Sequence, residues 1–244
     1  MSVPSILPIA DFPVRVLTRQ MLASGLLGVI QSGEKVSLFF ANTNFVVQCR
    51  SLLPRMQDES VVIVNDGIGL NLASRLVNGQ QFAENLNGTD FTPYLLGQAE
   101  RPLRIFLLGG TPRALAKAEE HVRSRLGQQV AGTCNGYGDL YDAALIARIN
   151  QAQPDIVLVA LGNPKQERWI LDHRDVLSAP VLMGVGALFD FWAGEKSRAP
   201  KWVQGMKLEW LYRLALEPRR LMRRYTVDVV KFFVLCYRHR QRYV

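Results

Sequence analysis

Five short apolar runs constrain the fold of this chain most: Val36–Ala41, Val61–Val64, Leu103–Leu108, Asp155–Leu161 and Val181–Val185. Each is apolar on both of its strand faces, as strands are when helices cover a sheet on both sides. A weaker run lies at Gln129–Thr133. Between the runs stand segments of helical period: Val14–Gln31, Thr43–Leu53, Leu70–Val77, Pro112–Leu126, Ala143–Ala152 and Lys165–Val176. Thr111 before Pro112 reads as a cap followed by a first-turn proline, and Asn163-Pro164 reads the same way. Strand and helix in alternation predict an α/β fold: a Rossmann-like, mostly parallel sheet with helices on both faces.

The pattern changes at Arg198. Helical segments at about Lys201–Leu216 and Arg219–Arg238 follow, split by Glu217-Pro218, with no further strand. Charge divides at the same point. The net +8 of the chain comes from residues 198–244, which hold 12 Lys/Arg and 3 Asp/Glu, whereas the preceding residues are nearly neutral. The expected organisation is therefore an α/β body over residues 1–197 and a basic helical appendage over 198–244. A basic arm calls for an anionic partner: phosphate, acidic lipid or nucleic acid.

The chain has a globular balance of apolar and charged residues, 48% and 20%, which excludes a disordered chain. Cys49, Cys134 and Cys236 are far apart and odd in number, which fits a reducing compartment. The N-terminus lacks a basic region leading into a long apolar run, so no signal peptide is expected. No stretch nears the ~20 apolar residues of a membrane span.

In an open parallel sheet, ligands bind beyond the carboxyl ends of the strands. Here those ends read Asn65-Asp66-Gly67-Ile68-Gly69, Gly109-Gly110-Thr111-Pro112, Gly162-Asn163-Pro164-Lys165-Gln166-Glu167 and Gly186-Ala187-Leu188-Phe189-Asp190. Strand, glycine, then helix can offer backbone N–H groups to phosphate, although glycine after a strand also makes a plain turn. No third glycine completes a dinucleotide fingerprint after Gly69, and no Walker lysine follows Gly110. Asp66 is the candidate general base, with a cap or turn Asp as the alternative. His121, His173 and His239 are scattered and no Asp-x-Asp occurs, so neither a catalytic metal nor another cofactor is expected. Arg, Lys and backbone N–H groups must then meet the charge of a departing diphosphate.

Taken as one ideal helix, Arg219–Arg238 gathers Arg220, Arg224, Lys231 and Arg238 on one side. Met222, Tyr225, Val229, Phe232, Phe233 and Cys236 fall opposite. Such a helix suits an anionic membrane surface, with Arg224, Lys231, Phe232, Phe233 and Arg238 as contacts. The plain alternative is a terminal helix packed on the body. A nicotinamide oxidoreductase and a nucleic-acid module are competing classes. The incomplete glycine fingerprint weakens the first, and the second has no recognised motif.

Several segments resemble the WecG/TagA/CpsF family of glycosyltransferases. They are Gly162-Asn163-Pro164-Lys165-Gln166-Glu167-Arg168-Trp169, Gly184-Val185-Gly186 with Asp190, Gly194 and Arg198-Ala199-Pro200-Lys201, Leu208-Glu209-Trp210-Leu211-Tyr212-Arg213-Leu214, Asn65-Asp66-Gly67, and Gly88-Thr89-Asp90. Asn85 and Phe40 stand where members often carry Arg and Thr. The resemblance implies an inverting, metal-independent transferase with a UDP-sugar donor and a polyprenyl-diphosphate-linked sugar acceptor. It would sit peripherally on the cytoplasmic face of the bacterial inner membrane. Asp66 would be the base. Asn42, Asp90, Gly109, Gly110, Asn163, Gln166, Asp190, Arg213, Arg220 and Arg223 would bind substrate. Within the family the overall look is nearest the xanthan-pathway branch, which implies transfer of β-1,4-linked glucose from UDP-glucose in exopolysaccharide synthesis. The alternative is transfer of N-acetylmannosamine, or its uronic acid, to lipid-linked N-acetylglucosamine. A second copy of the chain is a further candidate partner; nucleic acid is not.

Overall fold

The structure is a computed structural model describing residues 5–206 and 208–240. The side chains of Gln204, Arg220, His239 and Arg240 lie outside the described residues, and the role expected of Arg220 with them. The strands are β1 (Ile6–Ile9), β2 (Phe12–Arg15), β3 (Val36–Ala41), β4 (Val61–Asn65), β5 (Arg104–Gly109), β6 (Gln129–Cys134), β7 (Ile156–Ala160) and β8 (Val181–Gly184). They form one sheet in the order β1-β2-β4-β3-β8-β7-β5-β6. All neighbours are parallel except β1 and β2.

Both sheet faces are covered. On one face Leu38, Phe40, Val64, Leu107 and Met183 pack under α1 (Arg19–Ser32), α4 (Gly88–Gly97), α5 (Pro112–Ser124) and α8 (Leu188–Trp192). On the other, Phe39, Ile63, Phe106 and Val157 pack under α2 (Thr43–Gln48), α3 (Ile68–Asn78), α6 (Ala143–Gln151) and α7 (Lys165–His173). Adjacent residues of one strand thus feed two cores, as the period of two requires. This is the α/β, Rossmann-like sheet that the doubly apolar runs predict.

Three elements depart from expectation. Val14 lies in β2 rather than in a helix, and β1 and β2 form an antiparallel hairpin at the sheet edge. Its turn residues Ala10 and Asp11 have φ of 47° and 69°. That conformation favours Asn-Gly, whose absence hides the hairpin. Arg50 supports the turn by donating to Ala10 O and pairing with Asp11 at 2.6 Å. Helix α4 was not foreseen either, because it begins and ends in glycine and contains Pro93. Asn87 caps it, accepting from Asp90 N at 2.9 Å. A short 3-10 helix, Arg50–Met56, replaces the end of the expected Thr43–Leu53 helix.

The C-terminal arm is four helices rather than two: α9 (Lys201–Gly205), α10 (Glu209–Leu216), α11 (Pro218–Tyr225) and α12 (Val227–Arg240). Pro218 opens α11, and Thr226, at φ −111° and ψ −80°, breaks α11 from α12. The single amphipathic helix expected over Arg219–Arg238 therefore does not form. Helix α12 returns to the body and packs on α2 and α3. Phe232 is 0% exposed there and Cys236 2%. Phe232, expected at a membrane, is instead part of the core, and Phe233 is partly buried against the same cluster. Among the described residues, no helix is long and apolar enough to cross a membrane.

Candidate active site

A cleft of about 1860 Å³ lies beyond the carboxyl ends of β3, β4, β5, β7 and β8, closed on one side by α10, α11 and α12. The sheet register explains its floor. Ala41 is paired with Asn65, so the residues that follow, Asn42 and Asp66, emerge side by side. Asn42 Nδ2 donates to Asp66 Oδ2 at 3.1 Å. The Asn42 Oδ1 caps α2, accepting from Phe45 N at 3.1 Å, and also accepts from Arg224 Nη2 at 3.4 Å. A cap of this kind contributes ~1 kcal/mol; here it also fixes the amide that holds the carboxylate.

Burial pushes the Asp66 carboxyl above its ordinary range. The Asn42 hydrogen bond and the charges of Arg213 and Arg224 oppose that rise, while Glu209 adds to it. The backbone N–H after Asp66, that of Gly67, donates to Asn85 Oδ1. Asn85 therefore shapes the turn that carries Asp66.

The glycine loops do not act as the sequence suggests. Gly110 N donates to Ala160 O at 3.1 Å. Gly162 N and Gly186 N both donate to Gln166 Oε1, at 3.2 and 2.9 Å. These amides are already paired, so the expected phosphate cradle of glycine N–H groups is corrected at these positions. Gly109 turns away from the cleft. At φ 120°, a Cβ there would lie 2.3 Å from Ala160 O, so the residue is a close strand-to-strand approach.

Gln166 lines the cleft yet ties two loops together. Its Nε2 donates to Glu167 Oε1 at 2.8 Å, and a Cβ on Gly184 would crowd that Nε2 at 3.0 Å. Asn163 Nδ2 donates to the same Glu167 oxygen. Glu167 is buried, and burial raises its carboxyl and, with Glu167 beside it, the Cys49 thiol. Asn163 does not cap α7; Pro164 holds that place, after a cis peptide bond.

Asp90, expected on substrate, stands outside the cleft wall. Both its oxygens pair with Arg198, at 2.8 and 3.1 Å, and Asn87 donates to it at 2.8 Å. Arg198 also approaches Glu209 at 3.4 Å, and Glu209 holds Arg213 at 2.8 Å. Arg213 and Arg198 lie over the Phe191 ring at 5.1 and 5.9 Å. This chain of contacts sets Arg213 in the cleft wall. Asp190 also lines the wall and pairs with Lys196.

Two arginines exchange their expected places. Arg224, assigned to lipid, is partly buried in the cleft wall beside Asn42. Arg223, assigned to substrate, is exposed and does not line the cleft. The break at Thr226 sets this phase, which an unbroken helix could not reveal. Lys231 and Arg238 are exposed on α12. Sequence reasoning missed Glu209, Lys196 and the exposed cleft-mouth Tyr137. The Arg198-Ala199-Pro200-Lys201 and Leu208-Glu209-Trp210 segments carried a signal for Arg198 and Glu209, but not what they touch. Among the described residues, no three His, Cys, Asp or Glu side chains gather as a metal cage.

The sequence model of the glycosyl transferase WecG/TagA/CpsF family matches residues 7–243. A Bacillus subtilis (strain 168) protein, N-acetylglucosaminyldiphosphoundecaprenol N-acetyl-beta-D-mannosaminyltransferase, is 36% identical over 176 residues. That alignment covers 71% of this chain and 68% of the relative. With a family match over nearly the whole chain and a cleft at the carboxyl edge of its sheet, the chain belongs to the WecG/TagA/CpsF family of glycosyl transferases.

Proposed function

We propose that this protein transfers an N-acetylmannosamine-type sugar from a UDP donor to N-acetylglucosamine carried on a polyprenyl diphosphate, with inversion at the anomeric carbon. The glucose transfer expected from the xanthan-pathway likeness has no support in the relative's activity and gives way to this alternative. The observation that carries the reading is the position of Asp66. It is a single carboxylate held by Asn42 between two cleft arginines.

Asp66 accepts the proton of the acceptor hydroxyl as that oxygen attacks the anomeric carbon. The bond from that carbon to the donor diphosphate breaks, and its electron pair leaves with UDP. Arg213 and Arg224 oppose the negative charge of diphosphate, donor or acceptor, in a partly dry cleft where charge–charge contacts are strong. The paired Gly110, Gly162 and Gly186 amides leave much of that duty to side chains. The enzyme would work peripherally at the membrane holding its lipid acceptor, with exposed Lys231 and Arg238 toward anionic headgroups.

The test is a transfer assay offering radiolabelled UDP-N-acetylmannosamine, UDP-N-acetylglucosamine and UDP-glucose to polyprenyl-diphosphate N-acetylglucosamine. Label should enter the lipid only from the first. Transfer of glucose alone would overturn the sugar assignment.

A further inference from the structure

Helix α3 leaves the floor of the cleft directly after Asp66-Gly67, and its outward ridge is apolar. Ile68, Leu72 and Leu76, at i, i+4 and i+8, are 47%, 48% and 56% exposed. The ridge runs about 12 Å from the catalytic carboxylate outward. Ile68 and Leu72 also line the cleft, so the ridge is continuous with it.

Helix α12 packs against α3 and is apolar on two sides. Phe232 and Cys236 face the core, while Val230, Val234 and Tyr237 are 64%, 43% and 61% exposed. At about 100° per residue, those three lie roughly 140–200° round the helix from Phe232. Val229 and Phe233 of the same helix line the cleft beside Arg224 and Tyr225. The apolar surface thus starts at the arginines, passes between α3 and α12, and opens outward.

Soluble proteins seldom expose contiguous apolar surface without a partner for it. This surface begins where a diphosphate would be met by Arg213 and Arg224, and it is bordered by Arg75, Lys231 and Arg238, all exposed. A ligand charged at one end and a long hydrocarbon at the other matches that order of surfaces. Resting on the lipid-acceptor reading above, we infer that the α3–α12 surface binds the polyprenyl chain of the acceptor, guiding it from the membrane to Asp66. Acceptor chain length then becomes a specificity determinant read by Leu72, Leu76, Val230 and Val234.

The test uses full-length protein carrying Leu76→Gln and Val234→Gln. Both residues are exposed and neither lines the cleft, so folding is undisturbed and a matching melting curve verifies it. KM is measured with N-acetylglucosamine on undecaprenyl diphosphate and on a ten-carbon prenyl diphosphate. The expected result is a rise of about tenfold for the long acceptor and less than about twofold for the short one. In parallel, binding is measured to neutral phosphatidylcholine vesicles with and without undecaprenyl diphosphate, which needs no sugar transfer. Wild type should bind only the vesicles carrying the polyprenyl diphosphate, and the variant should lose that binding. Equal KM changes for both chains, or wild-type-like vesicle binding by the variant, would overturn the inference. So would loss confined to plain phosphatidylglycerol vesicles, which would make the surface a bilayer contact. A changed mass in light scattering would make it a subunit interface and equally overturn the inference. If no sugar transfers at all but the vesicle result holds, the proposed reaction fails and the lipid surface stands.

Discussion

Asn42 gives its amide N–H to Asp66 at 3.1 Å while its carbonyl oxygen caps α2 and meets Arg224 at 3.4 Å. One side chain therefore joins the end of β3, the candidate base at the end of β4 and the C-terminal arm. The paired register of Ala41 with Asn65 makes this possible. The arm reaches the site through a break at Thr226, and its return along α12 buries Phe232.

The arm's two neighbouring arginines should behave differently. Arg224→Ala should lower kcat/KM by about 10²–10³, the usual cost of removing a positioned charge-stabilising donor. Arg223→Ala, at an exposed position off the cleft, should stay close to wild type. Steady-state kinetics of both variants check this, and a reversed order would place the arm in another phase.

The pH dependence of the reaction follows from Asp66. Burial raises its carboxyl, and only the ionised form accepts a proton. The acid limb of kcat/KM should therefore fall at a pH above the ordinary Asp value of about 3.9. The sign for stability is opposite to that of a salt-bridged Asp. A raised folded pKa means the native state binds more protons, so stability declines as pH rises from the unfolded value through the folded one. Asp66→Asn should thus melt higher than wild type above that window and lose the difference at acid pH. Calorimetry across pH measures it.

Phe232→Ala should destabilise the whole protein by about 3–5 kcal/mol, because the ring is fully buried and a cavity would remain. Denaturant unfolding checks this. A loss of vesicle binding with unchanged stability would return Phe232 to the surface.

Much of the fold was legible from the residues. Runs such as Val36–Ala41 are apolar on both faces because both faces are covered, and each ends at a glycine or polar turn within reach of the cleft. The β1–β2 hairpin was not legible, since Ala10 and Asp11 adopt left-handed φ without a turn sequence and depend on distant Arg50. Helix α4 was hidden by Gly88 and Pro93. In the site, Asp66 and Asn42 could be singled out at strand ends. The duties of Gln166 and Asp90 could not, because they hold neighbours far along the chain: Gly186 in one case, Arg198 in the other. The exchange of Arg223 and Arg224 follows from a helix break that no periodicity displays.

The central claim is that Asp66 is the base for glycosyl transfer. Its most direct test is the single-turnover transfer rate of Asp66→Asn, measured with saturating UDP-sugar and polyprenyl-diphosphate N-acetylglucosamine on protein whose fold is verified. The expected rate is lower than wild type by about 10² or more, with donor binding retained. A rate near wild type would contradict the account.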